Sequence, residues 1–269
     1  MARFFYILLS ALLLVSCSEF QKALKTTDVK TKYEVATQLY EKEKYNKAIR
    51  LFEQISNSYR GKPQAEKLFY MYSMALYKTK TYHTASYQFE SFTAQYPTST
   101  KAEEAAFLGA KSYYFLAPRY SLDQVDTYKG LEKLQSFIDR YPNSQYMTEA
   151  NQLVKELREK LEKKAFEIAK QYRMTAEYFG DYNAAIKSFD NFLIDFPGSI
   201  YREEALWLKF DAAYQLAVNS VSYRMEERLK NAKEDYYDLI KFSSETKYRG
   251  QADKMLAKID TELQNFSKK

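Results

Sequence analysis

Apolar side chains recur along this chain at spacings of four, three and four residues, and each series starts from a small residue. The series are Ala48, Phe52, Ile55, Tyr59; Ala85, Phe89, Phe92, Tyr96; Gly130, Leu134, Phe137, Tyr141; Ala185, Phe189, Phe192, Phe196; and a weaker Ala232, Tyr236, Leu239, Ser243. These spacings place the members of one series on a single face of an α-helix. The pattern therefore predicts five amphipathic helices, each with one buried face.

A proline follows three of these helices, and a serine follows each proline at the same distance. The prolines are Pro97, Pro142 and Pro197, and the serines are Ser99, Ser144 and Ser199. Each helix should end before its proline, because proline pushes the preceding residue out of the α region. The serines are suited to capping the next helix, and Thr100 with Glu103 has the spacing of a capping box. Each repeat is thus predicted to be a helix, a short turn, a second helix and a proline turn.

The repeats resemble tetratricopeptide repeats in the small and aromatic positions of the second helix, in the closing proline and in the turn Gly180-Asp181-Tyr182. The resemblance implies an all-α solenoid of five helix-turn-helix repeats, at about 30–60, 65–97, 102–142, 147–197 and 201–244, with a C-terminal helix near 246–267. Repeat 3 carries an insertion at 117–127. In repeat 4 the first helix is lengthened to about 148–179, with apolar residues at spacings of three and four: Leu153, Leu157, Leu161, Ala165, Ile168 and Tyr172. We interpret it as an extended helix with a solvated charged face rather than as an independent coiled coil.

The N-terminus has the layout of a secretory signal peptide, with Arg3, an apolar run from Phe4 to Val15 and a small residue before Cys17. The run is too short to cross the roughly 30 Å core of a bilayer. Leu14 to Cys17 resemble the lipobox of bacterial lipoproteins, which implies cleavage after residue 16 and a lipid on Cys17. Residues 17–28 are then a lipidated tether in the cell envelope. A plain signal peptide with an incidental thiol is the alternative.

Composition argues against several other classes of protein. Acidic residues interleave with basic ones and the net charge is only +6, so no basic stripe for nucleic acid is present. The one histidine, His83, and the one cysteine cannot form a zinc site, and six glycines leave little material for a phosphate loop. We therefore expect no catalytic residue, no metal and no cofactor apart from the lipid on Cys17. A helical scaffold that binds other proteins fits the chain better.

Candidate binding residues follow from the first helices of the repeats, which form the concave wall in tetratricopeptide arrays. Aligning the repeats on their small positions turns a row of aromatics toward that wall: Tyr33, Tyr40, Tyr70, Tyr77, Phe107 and Tyr114. Lys30, Lys67 and Lys111 lie nearby. The row is suited to an extended, aromatic-rich peptide and its terminal carboxylate, since tyrosine offers contact area and a polar tip. The alternative is that these aromatics only pack against the neighbouring repeat.

The mature chain as a whole resembles the BamD family of outer-membrane assembly lipoproteins, in particular members from the Bacteroidota. The resemblance rests on the lipobox, the short tether, five divergent repeats and the loop Pro118 to Tyr128, PRYSLDQVDTY. It implies a scaffold subunit of the β-barrel assembly machinery on the periplasmic face of the outer membrane. Ser18-Glu19-Phe20 lacks the acidic run that marks surface-exported lipoproteins in that lineage, which also favours the periplasmic face.

The same resemblance implies two partners and a division of labour. Repeats 1–3, residues 29–142, would bind unfolded outer-membrane proteins, and repeats 4–5 with the C-terminal helix, residues 143–269, would bind a BamA-like barrel protein. The family's contact in repeat 4 includes a basic residue on the second helix. Lys187 lies next to the matching position, which Phe189 also fits.

Two other functions remain open from the sequence. One is a periplasmic tetratricopeptide lipoprotein that coordinates cell-wall synthesis or division, which would bind a cell-wall enzyme. The other is a glycan-capture lipoprotein on a nutrient transporter. Glycan-capture lipoproteins share helical repeats but are usually about twice this length, with large insertions that this chain lacks.

Overall fold

A computed structural model describes residues 19–267 of the protein. Residues 19–25 are helical and are labelled α1. Eleven helices follow: α2 (Val29–Glu41), α3 (Tyr45–Tyr59), α4 (Ala65–Lys78), α5 (Tyr82–Gln95), α6 (Ala102–Leu116), α7 (Val125–Arg140), α8 (Met147–Phe179), α9 (Tyr182–Asp195), α10 (Arg202–Val218), α11 (Ser222–Phe242) and α12 (Arg249–Ser267). No strand occurs between residues 19 and 267.

The predicted all-α repeat fold is confirmed. Helices α2 to α11 form five consecutive pairs, and both ends of each pair lie within two residues of the predicted repeat. We call the first helix of a pair its A helix and the second its B helix. Consecutive helices pack against each other, and A helices also contact the next A helix, as α2 does α4 and α4 does α6.

The chain divides into two compact units, Met1–Arg158 and Glu159–Lys269, and the division falls inside α8. The core of the first unit is built on the small positions that the sequence pattern picked out. Ala48 and Ala85 have no exposed surface, and Phe52, Phe89 and Phe92 fill the space around them. The sequence also predicts that residues 29–142 and 143–269 bind different partners, and that division of binding roles stays a prediction.

A close approach of two helices explains the glycine in the third repeat. A Cβ atom on Gly130 would lie 2.9 Å from Leu157 Cδ1 and 3.5 Å from the carbonyl of Tyr113. A real Cβ atom essentially never approaches another atom within 3 Å, so α7 sits closer to its neighbours than alanine would allow without a shift of Leu157.

The long helix α8 is confirmed, but its buried face differs from the sequence interpretation in its second half. The sequence series ran through Ile168 and Tyr172, and both are exposed. Phe166, Ala169 and Ala176 are buried instead, against α9 and α10. Two competing apolar stripes share this part of the helix, and the neighbouring helices of the second unit cover only one of them.

A buried ion pair joins two A helices in the second unit. The Arg173 guanidinium on α8 donates from Nε to Asp211 Oδ2 on α10 at 2.7 Å, and its Nη1 reaches Glu177. Arg173 also lies over the ring of Tyr182, at 5.3 Å from the centroid. Such a pair holds only when both charges are partnered, because an isolated charge in this position would be strongly unfavourable.

The segment before the first repeat is packed more firmly than a tether. The sequence placed residues 17–28 outside the repeats, yet Phe20 and Ala23 are buried in the core that α2 and α3 share. Two apolar side chains three positions apart lie on one face of α1, which is enough to dock this short helix. Cys17 and the predicted signal peptide lie outside the described residues.

Candidate partner-binding surfaces

A repeated hydrogen bond links four of the A helices, α4, α6, α8 and α10, to the turn that follows the repeat of each. The pairs run from a turn hydroxyl to a glutamate: Ser99 to Glu66 (2.6 Å), Ser144 to Glu103 (2.6 Å), Ser199 to Glu162 (2.5 Å) and Thr246 to Glu203 (2.5 Å). The same oxygen accepts from the backbone amide two residues later, so it stabilises the start of the next helix as well. The start of each following helix is thereby fixed to a glutamate of the preceding A helix, which lies in the first turn in α4, α6 and α10 and in the middle of α8.

This network overturns one detail of the sequence interpretation. Thr100 and Glu103 do not form a capping box, because α6 begins at Ala102 and its cap position, Lys101, makes no side-chain cap bond. Glu103 turns toward Ser144 of the next turn instead. The predicted role of the turn serines at helix starts is confirmed in a modified form, since Ser99 bonds the amide of Lys101.

The tyrosines of the first repeat lie at the ends of α2. Tyr33 stacks on Tyr59 of α3, with ring centroids 5.0 Å apart, and Tyr40 meets Tyr45 edge-on at 5.5 Å. Both Tyr33 and Tyr40 are half-buried against the core of the first unit. Each ring therefore packs with one side on its own repeat and leaves the other side partly open.

Tyr70 connects the second repeat to the third. Its ring packs on Phe92 at 5.7 Å, and Lys101 Nζ lies 5.3 Å from the ring centroid. Its hydroxyl hydrogen-bonds to Glu104 on α6, and burial together with this bond raises the pKa of Tyr70. The side chain thus spans the groove between two A helices.

Tyr77 makes a similar link two helical turns further along α4. Its ring lies 6.2 Å from that of Phe115 and 5.7 Å from that of Tyr82. Lys111 donates a hydrogen bond to its hydroxyl oxygen, and burial raises the pKa of Tyr77. Lys111 also forms an ion pair with Glu149 on α8, at 2.5 Å.

Phe107 and Tyr114 occupy different depths. Phe107 is only 2% exposed and packs in the core, stacked on Tyr146 and tilted against Phe137. Tyr114 is half-buried and donates a hydrogen bond to Glu156 on α8. That bond and burial raise the pKa of Tyr114 to about 12.

The structure therefore brings the aromatic row together in the first unit, with hydroxyl groups that bridge successive A helices. Each of Tyr70, Tyr77 and Tyr114 is bound to a charged group of the following repeat. Packing between repeats is part of the role of these residues, and it is the whole role visible for Phe107. The open sides of the tyrosine rings, with exposed Lys30 and Lys67, form the aromatic wall that could receive a peptide.

Lys187 lies in the second unit, exposed on α9, at the rim of a cleft of about 710 Å³. The cleft runs between the B helices α9 and α11 over α10. Its apolar lining is Leu193, Ile194, Leu206 and Phe242, and its charged lining is Lys187, Asp190, Arg202, Lys209, Asp238 and Lys241. We call it the B-helix cleft. The sequence pointed to Lys187 but not to this depression, because the depression forms only when three consecutive helices pack together.

The lysines of the B-helix cleft differ in their surroundings: Lys209 is held in ion pairs, whereas Lys187 and Lys241 face solvent. Lys209 forms ion pairs with Asp190 at 2.7 Å and with Asp235 at 2.9 Å, and burial raises the pKa of Asp235. Lys187 and Lys241 are both exposed at the rim. The cleft therefore offers lysine ammonium groups beside apolar side chains, which suits an acidic and apolar surface of another protein.

Among residues 19–267, no group of three or more histidine, cysteine, aspartate or glutamate side chains is placed to hold a metal ion. His83 is exposed at the start of α5. No described helix combines the length and apolarity needed to cross a membrane.

One family of known proteins matches most of the chain. Residues 25–221 match the YfiO family, described as outer membrane lipoproteins. No curated protein matches the chain significantly. A solved structure titled "Computational Design of Self-Assembling Cyclic Protein Homooligomers" matches at 14% identity over 98% of this chain and 96% of that chain, with a TM-score of 0.20, which is too low to support an argument. Because the family match covers well over half of its length, the chain belongs to the YfiO family of outer membrane lipoproteins.

Proposed function

We propose that this lipoprotein is the scaffold subunit of an outer-membrane β-barrel assembly machinery. It binds a BamA-like barrel protein and unfolded outer-membrane proteins and brings them together for folding and insertion. The observation that carries the proposal is the family match over residues 25–221, which spans the first four helical repeats and all of α10. Stacked helical repeats present extended surfaces, which are suited to binding other proteins.

The aromatic wall of the first unit is the proposed site for client proteins. Tyr33, Tyr40, Tyr70, Tyr77 and Tyr114 present ring faces along the A helices, and lysines lie beside them. An unfolded barrel protein ends in a strand with aromatic side chains and a carboxylate. Aromatic rings and ammonium groups recognise both features.

The B-helix cleft of the second unit is the proposed site for the barrel protein. Lys187 and Lys241 supply positive charge, and Ile194 and Phe242 supply exposed apolar surface at the same depression. A periplasmic domain that presents carboxylates around an apolar side chain would complement this cleft.

Attachment to the membrane completes the proposal. A diacylglycerol on Cys17, with an acylated amino group, would hold the protein at the periplasmic face of the outer membrane, since two or more chains are needed for stable anchoring. Replacement Cys17→Ala is expected to move the protein to the soluble fraction with an unchanged circular dichroism spectrum. A variant that stays in the membrane fraction would contradict the anchor.

Affinity purification of the tagged, membrane-anchored protein, followed by mass spectrometry, tests the proposed function. Recovery of a barrel protein that carries periplasmic repeat domains is expected. Recovery of a cell-wall synthase would support a role in division instead, and recovery of a nutrient transporter would support glycan capture.

A further inference from the structure

The insertion in the third repeat is an ordered loop held by one buried side chain. Gln124 is almost fully buried, and its Nε2 donates to the carbonyl oxygens of Arg119 at 2.9 Å, Tyr120 at 3.3 Å and Leu122 at 2.9 Å. Its Oε1 accepts from the Thr127 hydroxyl at 2.7 Å. The two N–H groups of a single amide are thus shared among three loop carbonyls, which fixes the backbone from residue 119 to residue 122.

This fixed loop turns apolar side chains outward rather than inward. Leu122 is 49% exposed, Val125 67% and Tyr128 63%. Val125 begins α7, and its amide is bound by Asp123 Oδ1 at 2.9 Å. Isolated exposed apolar residues are normal on a protein surface. Here three of them lie within seven residues, on the loop and the first turn of α7, where hydrogen bonds from Gln124 and Asp123 hold the backbone. This arrangement indicates a binding surface.

The loop lies at the edge of the first unit where A helices turn into B helices. Parallel A helices that pack on each other place all such turns, 42–44, 79–81 and 117–124, along one edge. Ring contacts tie the turns of repeats 2 and 3 together, since Tyr82 stacks on Phe115 with centroids 4.5 Å apart. We call this border the A–B edge.

The chain enters the first unit near the same edge. Lys47, in the first turn of α3, holds its ammonium 5.4 Å from the centroid of the Phe20 ring. Phe20 therefore lies toward the end of the hairpin where α2 turns into α3. Cys17 is two residues before residue 19, and two residues reach at most about 7 Å. A lipid on Cys17 would accordingly leave almost no slack between the membrane and this side of the first repeat.

We propose that the A–B edge of the first unit rests on the membrane surface, and that Leu122 of the loop and Val125 and Tyr128 of the first turn of α7 insert into the lipid headgroup region. The proposal rests on the lipid anchor of the proposed function. It adds a second contact, made by protein side chains, that orients the unit on the bilayer. Apolar and tyrosine side chains favour this interfacial layer.

Charge contributes little to the insertion of these three side chains. Arg119 and Lys129 carry positive charge on the loop and the following turn of α7, and Asp123 and Asp126 balance them. The turns 42–44 and 79–81 of the same edge are basic, with Lys42, Lys44 and Lys80 against Glu43. Insertion at position 122 is therefore expected to come from apolar burial and to persist at high salt, whereas any attraction of the lysines to anionic lipid should weaken.

The sequence offers a direct test because its single cysteine becomes blocked by the lipid. The full-length lipidated protein is reconstituted without any partner into vesicles of phosphatidylethanolamine and phosphatidylglycerol. An environment-sensitive fluorophore is attached to a new, unique free thiol at Leu122→Cys. Lys42→Cys marks the A–B turn of the first repeat, and Thr98→Cys, on the exposed proline turn at the opposite edge, is the matched control.

The expected result is a blue-shifted emission at position 122 with quenching by lipids that carry a nitroxide near the headgroup. Quenching should be at least about twofold stronger than at position 98, because interfacial groups lie about 5–10 Å deep. Position 42 should give an intermediate value. Equal quenching at 122 and 98 would overturn the proposal, as would a blue shift at 122 that appears only after a barrel protein is added.

Failure of the anchor is visible separately. A protein without a lipid on Cys17 would be lost from the vesicles during flotation, which would remove the basis of the proposed orientation. Loss of assembly function with normal quenching would instead leave the membrane contact standing, because the vesicles contain no assembly partner.

Discussion

The ring of Tyr146 lies flat on the ring of Phe107, with centroids 4.6 Å apart and planes inclined by 7°. The same stack recurs between Phe166 and Tyr201 and between Trp207 and Tyr248. In each case the first ring comes four residues after the glutamate that accepts a hydrogen bond from the next turn, and the second comes two residues after the turn hydroxyl. One combined device, a hydrogen bond and a ring stack, therefore joins successive A helices in both units.

This device should contribute measurably to stability. Ser144→Ala removes the hydroxyl that donates to Glu103 and accepts from the Tyr146 amide, so a loss of about 1–2 kcal/mol in unfolding free energy is expected. Urea unfolding followed by circular dichroism measures it. Ser58→Ala, at an exposed position of α3, is the control and should change stability by less than about 0.5 kcal/mol. Equal effects of the two changes would show that the device is dispensable.

The buried ion pair of the second unit should be sensitive to loss of one partner. Asp211→Ala leaves the Arg173 guanidinium without its main counter-charge at a nearly buried position, and a loss of about 3–5 kcal/mol is expected. The double change Arg173→Met with Asp211→Leu should recover most of that loss, because no charge is then left unpaired. Thermal unfolding of the three proteins provides the comparison. A double variant no more stable than the single one would contradict this explanation.

Alkaline pH should weaken the first unit. Burial and Glu53 raise the pKa of Tyr72 to about 12, and Glu156 with burial raises that of Tyr114 to about 12. An unfolded tyrosine ionises near pH 10. Between about pH 10 and 12 these two tyrosines are therefore protonated in the folded chain but ionised in the unfolded chain. Their contribution to the unfolding free energy is complete below about pH 10 and is lost as the pH rises toward about 12.

Urea unfolding at several pH values above neutrality tests this dependence. Tyr114→Phe removes one of the titrating groups, so its unfolding free energy should fall less steeply over the same pH range. A slope identical to that of the unmodified protein would mean that Tyr114 ionises alike in the folded and unfolded chains.

Binding of client peptides should depend more on the rings of Tyr70 and Tyr77 than on their hydroxyl groups. Tyr70→Phe with Tyr77→Phe removes the bonds to Glu104 and Lys111 but keeps the rings, so a C-terminal peptide of an outer-membrane protein should still bind. Tyr70→Ser with Tyr77→Ser should weaken binding by about tenfold or more, since each aromatic contact contributes about 1 kcal/mol. Fluorescence anisotropy measures affinity, and thermal unfolding of the same proteins is the control. Stability and affinity falling in parallel would assign these tyrosines to packing alone.

Binding of the barrel protein should respond to charge at the B-helix cleft. Lys187→Glu reverses one rim charge and is expected to weaken the interaction about fivefold or more at low salt, with a smaller effect at high salt. Lys254→Glu, exposed on α12 away from the residues that line the cleft, is the matched control. Co-purification from membranes and surface plasmon resonance with the periplasmic domains both report the change. Similar losses for the two variants would remove Lys187 from the interface.

The sequence predicted the repeats well because their signal is local. Small and aromatic positions such as Ala85 and Phe89 recur at helical spacing, and Pro97 marks the helix end, so helix pairs could be assigned without any tertiary information. Gly130 was assigned to a small position and proved to be one of close helix approach.

What the sequence missed depends on partners that are distant along the chain. The bond of Ser144 to Glu103 spans 41 residues, and local reading assigned Glu103 to a capping box instead. The exposed stripe of Ile168 on α8 looked buried, because periodicity cannot say which of two apolar faces a neighbour will cover. The B-helix cleft emerges only when three helices pack together, and the role of Gln124 depends on how the short loop around it folds.

The most direct test of the central claim is depletion of the protein, followed by measurement of folded β-barrel proteins in the outer membrane by their heat-dependent mobility in gel electrophoresis. The assembly role predicts that folded barrel proteins fall while lipoproteins and inner-membrane proteins keep their levels, and that the unmodified chain restores them. Unchanged folded barrel proteins, together with a defect confined to cell-wall synthesis or glycan uptake, would contradict it.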